Sequence, residues 1–341
     1  MLIGIIFLII VSLHPQVVSS ALPSSYRNAT TLINDAINFE SQYPSLISHS
    51  QIGATVKGTP IYVFKIGNPD GGKVLIDASI HGNENAGSEV VWWFMNWLLT
   101  SQDQDAVNIR QRNYVMVVPI LNIDEFQIGR ENAHDVDLNR NYKVGWKTYN
   151  DTTGGSAPLS EPETQAIYDF VFGLHLSSSS KTWYLNVHTN DQNVRVSPPW
   201  GYLSFTPEKS YYEAVYSNYS RICNSMGSVP FPYVEQNSYG GGLARDQMYA
   251  LGAYSLSVEV SDALLPLDYS TVSSTILNRF KSLVIAICRE SEVKSESTNG
   301  TIIPKDWMEF VLNHKIEISI STVLVVMLVI LVASKLRKSR N

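Results

Sequence analysis

Apolar residues along the chain fall into short, nearly continuous runs and into longer runs with helical spacing. The short runs predict buried strands at 61–66, 73–80, 114–120, 183–187 and 254–260. The longer runs predict helices at 29–42, 86–100, 162–175, 208–226 and 270–290. Buried strands that alternate with helices are typical of α/β proteins. We therefore predict an α/β fold with a mixed, largely parallel central sheet and helices on both faces.

The two ends of the chain differ from its middle. Residues 1–18 are largely apolar and small residues follow, as in a secretory signal peptide; because no Lys or Arg precedes the run, an uncleaved anchor is the alternative. Residues 318–334 carry no charge and are just long enough for one membrane-spanning helix. Basic residues follow at once, which predicts a cytoplasmic C-terminus: Lys335, Arg337, Lys338 and Arg340.

These patterns divide the chain into five parts. We predict a signal peptide or anchor at 1–20, an exported domain at 21–290 and a stalk at 291–317. A C-terminal transmembrane helix at 318–334 and a basic cytoplasmic tail at 335–341 complete the chain. The protein is then held at the cell surface by its C-terminal helix, with its domain outside the cell. Four Asn-x-Ser/Thr sequons, at Asn28, Asn150, Asn218 and Asn299, are glycosylation sites if the chain is exported.

Charge and cysteine content narrow the classes of partner. The formal net charge is −6, and no basic block interrupts the middle of the chain, so nucleic acid is not an expected partner. The two cysteines, Cys223 and Cys288, either form one disulfide in an oxidising compartment or are two buried thiols. The sequence leaves these alternatives open.

Four polar residues lie where predicted strands end, which is where open α/β sheets bind ligands. His81 and Glu84 follow the strand at 73–80, His188 ends the strand at 183–187, and Glu259 lies at the end of the last strand. Each alone has an ordinary explanation as a cap or a hydrogen-bonded buried group. Together, two histidines and one glutamate are the ligand set of an open zinc site, in which water takes the fourth position.

Three short motifs resemble those of the zinc metallocarboxypeptidases, the carboxypeptidase A-like family. Residues 81–84, His-Gly-Asn-Glu, are similar to the family's metal-binding motif. Residues 137–141, Asp-Leu-Asn-Arg-Asn, are similar to its substrate clamp, and residues 160–164 resemble another family segment. The resemblance runs from about residue 43 to about residue 289, which is nearly the whole predicted exported domain.

The resemblance implies a role for each residue of the catalytic group. His81, Glu84 and His188 would hold one Zn²⁺ per chain. Glu259 would be the general base, which takes a proton from the attacking water and passes it to the leaving amine. Arg130 would stabilise the oxyanion of the tetrahedral intermediate.

The same resemblance implies how the substrate is bound. Asn139 and Arg140 would hold the terminal carboxylate of a peptide or protein substrate, because the planar guanidinium binds a carboxylate through two hydrogen bonds. Asp137 would accept a hydrogen bond from His81 and fix its tautomer.

Two further substrate contacts are less sharply located. The family has a mobile tyrosine that closes over the substrate. Tyr239 is our first choice, because the adjoining Gly240–Gly242 would permit the loop to move, and Tyr233 is our second. In one alignment register Arg245 occupies the specificity pocket and favours a C-terminal Asp or Glu; in the other Ala244 does, and the pocket takes apolar residues. We favour Arg245.

The sequence therefore predicts an extracellular zinc carboxypeptidase. A zinc hydrolase of the same fold that acts on N-acyl amino acids or cell-wall-type peptides is one alternative. A surface-binding protein without catalytic activity is another, although neither a metal ligand nor the general base is missing from the sequence.

Overall fold

A computed structural model describes residues 24–147, 153–176, 181–189, 194–199, 208–235, 241–261 and 269–291. The predicted signal peptide, transmembrane helix and basic tail, together with residues 292–317 of the predicted stalk, lie outside these ranges. Within them, no helix has the length and apolar character needed to cross a membrane.

The core of the described chain is a mixed seven-stranded sheet in the order β1-β2-β4-β3-β5-β7-β6. The four central strands, β4, β3, β5 and β7, run parallel, whereas β1, β2 and β6 pair with their neighbours antiparallel. Parallel pairing is thus confined to the centre, so our expectation of a largely parallel sheet holds only there. The strands are β1 (Ile47–Ala54), β2 (Pro60–Gly67), β3 (Gly72–Ala78), β4 (Asn113–Val118), β5 (Trp183–His188), β6 (Arg195–Ser197) and β7 (Tyr254–Glu259).

Helices connect the strands and cover both faces of the sheet. The first, Ala29–Gln42, begins where the Asn28 side chain accepts a hydrogen bond from the Thr31 amide, a standard helix N-cap. At the C-terminal end of the described chain a three-residue helix runs through a π-helical turn, Val272–Ile276, into a long amphipathic helix. The helices are α1 (Ala29–Gln42), α2 (Asn85–Thr100), α3 (Gln104–Arg112), α4 (Pro162–Gly173), α5 (Lys209–Ser225), α6 (Ala244–Ala250), α7 (Tyr269–Thr271) and α8 (Leu277–Ser291).

Two separate apolar clusters lie on the two faces of the sheet. The larger packs alternate strand residues, such as Val74, Leu185 and Val258, against α1, α2, α3, α5 and α8. The smaller packs the opposite residues, such as Leu75 and Tyr184, against α4 and α6. This alternation is the consequence of side chains pointing to opposite faces along a strand. The strands β3 and β4 therefore bury apolar residues on both faces, as the sequence pattern predicted, whereas β7 does so only on the face of the larger cluster.

Two predictions outside the site can be compared with the structure. Cys223 and Cys288 are both buried thiols, and no disulfide joins them. Of the sequons in the described chain, Asn28 caps α1 from an exposed position, while Asn218 lies within α5 and donates to the Glu290 carboxylate. A glycan at Asn218 would have to displace that hydrogen bond.

Candidate functional site

Polar side chains form two rows across the face of the sheet that carries α4 and α6. In the first row, strand register places Asp77 beside Asn186, Asn186 beside Ser257, and Ser257 beside Ser197. In the second row, one step nearer the carboxyl ends of β5 and β7, His188 lies beside Glu259 and Glu259 beside Arg195. The candidate site lies at this edge of the sheet.

The structure brings His81, Glu84 and His188 together as a possible metal-binding group. One donor atom from each lies within 4.8 Å of the others, and all three residues are buried. His81 Nδ1 is 2.6 Å from Glu84 Oε1, and His188 Nδ1 is 2.9 Å from Glu84 Oε2. Both imidazoles thus point the same kind of atom, Nδ1, at one carboxylate.

The chain between β3 and α2 places the first two members of this group. It leaves β3 after Ala78, turns through 81–84 and enters α2 at Asn85, so His81 and Glu84 lie on one tight turn. Gly82 is required in that turn, because a Cβ there would lie 2.2 Å from the backbone oxygen of Glu125. The motif's glycine therefore serves close packing between this turn and the loop that leads to Arg130.

Asp137 and Arg130 form the outer contacts of His81. The Nε2 atom of His81 lies 3.1 Å from Asp137 Oδ1, while Arg130 donates to Asp137 Oδ2 through Nε and Nη2. Arg130 Nη1 also lies 3.6 Å from Glu84 Oε1. Because Asp137 accepts from the imidazole, it favours the tautomer that leaves Nδ1 free as a ligand.

Buried carboxylates hold the loop that carries these residues. The Asn132 amide donates to Glu161 Oε2 at 2.8 Å and to Glu163 Oε2 at 3.1 Å. His134, in the same loop, is mostly exposed and pairs with Glu161 rather than with the metal-binding group. The segment at 160–164 therefore stabilises the Arg130–Asp137 loop from beneath.

The charges within the metal-free group stabilise one another. Burial lowers the pKa of His81, but the Glu84 and Asp137 carboxylates outweigh it and raise the pKa to about 9. Burial raises the pKa of Glu84, but the His81 and His188 imidazoles together bring it well below its usual range. A divalent cation would replace the proton that this pairing otherwise favours, because metal ligands must be deprotonated.

Glu259 lies beside the group with one free carboxylate oxygen. Its Oε2 is buried and has no hydrogen-bond partner among the described residues. Its Oε1 lies 3.6 Å from Arg195 Nη2, beyond hydrogen-bond distance. Burial raises the pKa of this carboxyl group. A buried carboxylate with an unused oxygen is suited to accept a proton from a bound molecule.

Asn139 and Arg140 lie on a short 3-10 turn, Leu138–Arg140, next to the metal-binding group. The Asn139 side-chain oxygen accepts from the Ala244 amide at 2.9 Å, which turns its Nδ2 toward His188 at 3.4 Å from Nε2. Arg140 Nη1 donates to the Asn139 carbonyl oxygen. The two predicted clamp residues are thus adjacent, and Asn139 is held in place by the first residue of α6.

The structure bears on the two uncertain substrate contacts in different ways. Tyr239 lies outside the described residues, and Tyr233 packs against Tyr216 in the loop beside β6. Gly242, which we expected to allow movement, adopts a positive φ of 73°, and a Cβ there would lie 2.2 Å from the Arg140 oxygen. That glycine is explained by close packing and not by mobility.

Ala244 and Arg245, the alternative residues for the specificity pocket, both lie in the first turn of α6 but in different environments. Ala244 belongs to the apolar cluster with Leu138 and Met248. Arg245 is buried, with Nε 3.4 Å from Asp246 Oδ1, and its backbone oxygen accepts from Ser255 on the polar face of β7. Ala244 is thus occupied in core packing.

Comparison with known proteins then decides the family. Residues 33–273 match the family model described as zinc carboxypeptidase. The chain belongs to this family. Mast cell carboxypeptidase A of Rattus norvegicus is 27% identical over 210 residues, 54% of this chain and 50% of that protein. Carboxypeptidase SOL1 of Arabidopsis thaliana is 27% identical over 254 residues, 68% of this chain and 51% of that protein. The chain spans about half the length of these relatives.

Solved structures show the zinc carboxypeptidase fold directly. Carboxypeptidase A from Helicoverpa armigera superposes with a TM-score of 0.68 at 15% identity, covering 80% of this chain and 75% of that one. Thrombin activatable fibrinolysis inhibitor gives 0.69 at 19% identity, covering 80% and 79%. At these identities the likeness establishes the fold, and the family match establishes the resemblance that the motifs indicated.

The donor set of this family member fits zinc. Two imidazole nitrogens and one carboxylate, each with an outer hydrogen-bond partner, are the protein ligands of an open site. Sequence reasoning missed three residues nearby: Arg195, Asp77 and Asn186. Asn186 had a weak signal, because a residue two positions before His188 shares its face of the strand.

Proposed function

We propose that the chain is a zinc-dependent carboxypeptidase that hydrolyses the C-terminal peptide bond of extracellular peptides or proteins. The observation that carries the proposal is the buried His81–Glu84–His188 group with the free oxygen of Glu259 beside it. Asn139 and Arg140, next to the same group, supply a clamp for a free carboxylate.

The residues divide the reaction between them. Zn²⁺ held by His81, Glu84 and His188 would supply Lewis acidity, activating water and polarising the scissile carbonyl. Glu259 takes a proton from the attacking water and later gives it to the leaving amine. Arg130, whose Nη1 faces Glu84, stabilises negative charge on the carbonyl oxygen. Asn139 and Arg140 hold the substrate's terminal carboxylate.

The proposal is tested with the purified full chain and blocked dipeptides that end in Glu, Gln, Leu, Phe or Arg. We expect release of the last residue, its loss with a chelator, and its return with one equivalent of Zn²⁺. Peptides with an amidated C-terminus are the matched control and should not be cleaved, because the clamp then lacks its carboxylate. Zinc binding without release from any peptide would favour the acyl-amino-acid hydrolase or the binding protein.

We further propose that Arg245 selects an acidic C-terminal residue, since Ala244 is taken up by core packing. Replacing Arg245 by Gln should reduce kcat/KM for a peptide ending in Glu by about 10- to 100-fold, the worth of a hydrogen bond to a charged group. The same change should leave a peptide ending in Gln nearly unaffected. The comparison variant is Ala244→Gly: a change of preference among apolar residues there, with none at Arg245, would assign the pocket to Ala244 instead.

We place the enzyme at the cell surface. The support is the sequence alone: the apolar start of the chain, the uncharged run at 318–334 and the four basic residues after it. Extraction of the full chain from membranes by detergent but not by carbonate, with protease access from outside the cell, is the expected result.

A further inference from the structure

His188 is linked to a buried carboxylate on the neighbouring strand through the amide of Asn186. The Nε2 atom of His188 lies 2.5 Å from Asn186 Oδ1. Asn186 Nδ2 donates to Asp77 Oδ1 at 2.9 Å, and the Tyr184 hydroxyl donates to Asp77 Oδ2 at 2.8 Å. We call the chain of Asp77, Asn186 and His188 the Asp77 relay. All three residues are buried, so water does not compete for these hydrogen bonds.

When Asp77 is ionised, the hydrogen bonds of the relay can run in only one direction, from donor to acceptor. Burial raises the pKa of Asp77 to about 6, so the carboxylate is ionised at pH 8. An ionised carboxylate can only accept, so Asn186 must turn its NH₂ toward Asp77 and its oxygen toward His188. That oxygen also only accepts, so the Nε2 atom of His188 must carry the proton.

The consequence reaches the other nitrogen of the imidazole. In a neutral ring with its proton on Nε2, the lone pair is on Nδ1. The Nδ1 atom of His188 is the one that faces Glu84 in the metal-binding group. Asn139 Nδ2, a donor, also faces Nε2 and would favour a lone pair there, but its 3.4 Å contact is much longer than the 2.5 Å contact to the Asn186 oxygen, which decides the position of the proton. The relay therefore holds a proton on Nε2, so Nδ1 is the nitrogen left for a metal once the cation displaces the proton that Glu84 favours there.

The two histidines obtain the same tautomer by different means. His81 contacts Asp137 directly, and Arg130 shares that carboxylate. His188 has a neutral amide between itself and the carboxylate. An asparagine at position 77 would avoid the cost of burying a charge. It could, however, present either end of its amide to Asn186, and the polarity of the relay would be lost.

We propose that Asp77 is the positioning residue of His188: acting through Asn186, it holds the imidazole in the Nε2-protonated tautomer with Nδ1 directed at the metal. The metal-binding half of this statement rests on the proposed function. The proton on Nε2 is a property of the metal-free protein and stands apart from it. No residue of the relay other than His188 contacts the metal in this scheme.

The test compares Asp77→Asn with Tyr184→Phe in the full chain. In the wild type without metal at pH 8, imidazole ¹⁵N NMR should show a proton on Nε2 of His188. Asp77→Asn should leave that nitrogen protonated in only part of the molecules and weaken zinc binding, measured by chelator competition, by about 10-fold or more. Tyr184→Phe removes only the contact to Oδ2, so its Nε2 protonation and zinc affinity should match the wild type.

Each result bears on one of the two proposals. Unchanged Nε2 protonation and zinc affinity in Asp77→Asn would overturn the positioning role. Equal losses in Asp77→Asn and Tyr184→Phe would overturn it too, because they would indicate general loosening of the site. If Asp77→Asn does not fold, Asn186→Leu removes the acceptor of His188 and should show the same partial protonation of Nε2. A wild type that shows the Nε2 proton but binds no zinc would contradict the proposed function and leave the relay intact.

Discussion

Glu259→Gln is expected to lower kcat/KM for peptide hydrolysis by about 10³-fold, within the range that general base catalysis contributes. Glutamine keeps the shape of the side chain but cannot take a proton from water. Since Glu259 is not one of the three ligands, zinc affinity should change little. Steady-state kinetics on the preferred dipeptide and chelator competition measure the two quantities separately.

The matched control for this substitution is Glu213→Gln. Glu213 is exposed on α5 and pairs only loosely with Lys209, so removing its charge should leave both quantities unaltered. A Glu259→Gln enzyme with full activity would assign the proton transfer to another group. Parallel losses of activity and zinc would instead make Glu259 part of the metal site.

Glu84→Gln is expected to weaken zinc binding by about 10³-fold and to lower activity with it. The carboxylate contacts both Nδ1 atoms and accepts from the Thr189 amide, and glutamine can offer an oxygen to only one side. If roughly 10–16 kcal/mol of binding free energy is shared over the three protein ligands, losing one costs about 4 kcal/mol, or about 10³-fold in affinity. Competition with a chromogenic chelator measures the loss.

His134→Gln is the control for that experiment. It removes an imidazole from the same sequence motif as Asp137, but His134 is exposed and bonds to Glu161, outside the group. Its zinc stoichiometry should stay at one per chain. Wild-type zinc affinity in Glu84→Gln, or loss of zinc in His134→Gln, would mean that the ligand set is assigned wrongly.

The local sequence pattern was enough to predict those elements whose capping residue or hydrophobic spacing lies within the element itself. The helix predicted at 29–42 has those bounds in the structure, because Asn28 caps it and Leu32, Ala36 and Phe39 recur at helical spacing. The strand at 73–80 was predicted to within two residues, because it is apolar on both faces. The three-residue β6 offers no period to detect, and the polar edge strand β1 resembles a loop in sequence.

The residues of the site also fall into two groups: those that a short motif reveals and those that only strand pairing brings together. His81 and Glu84 share one turn, so their spacing was visible in the sequence. The approach of Arg195 to Glu259 depends on the register between β6 and β7, which no short motif records. The contact between Asp77 and Asn186 likewise depends on the pairing of strands that are far apart in the chain. α6 was also missed, because its seven residues are all buried, including Arg245 and Asp246.

The two faces of the sheet have different roles, one in stability and the other in the candidate site. The face under α2 and α8 is apolar along β3, β5 and β7, whereas the other bears the polar rows at its carboxyl edge. Substitutions on the first face are expected to change the free energy of unfolding, and substitutions in the polar rows of the second are expected to change what the site binds. In relatives of this chain, binding specificity can therefore diverge through the polar rows while the scaffold stays the same.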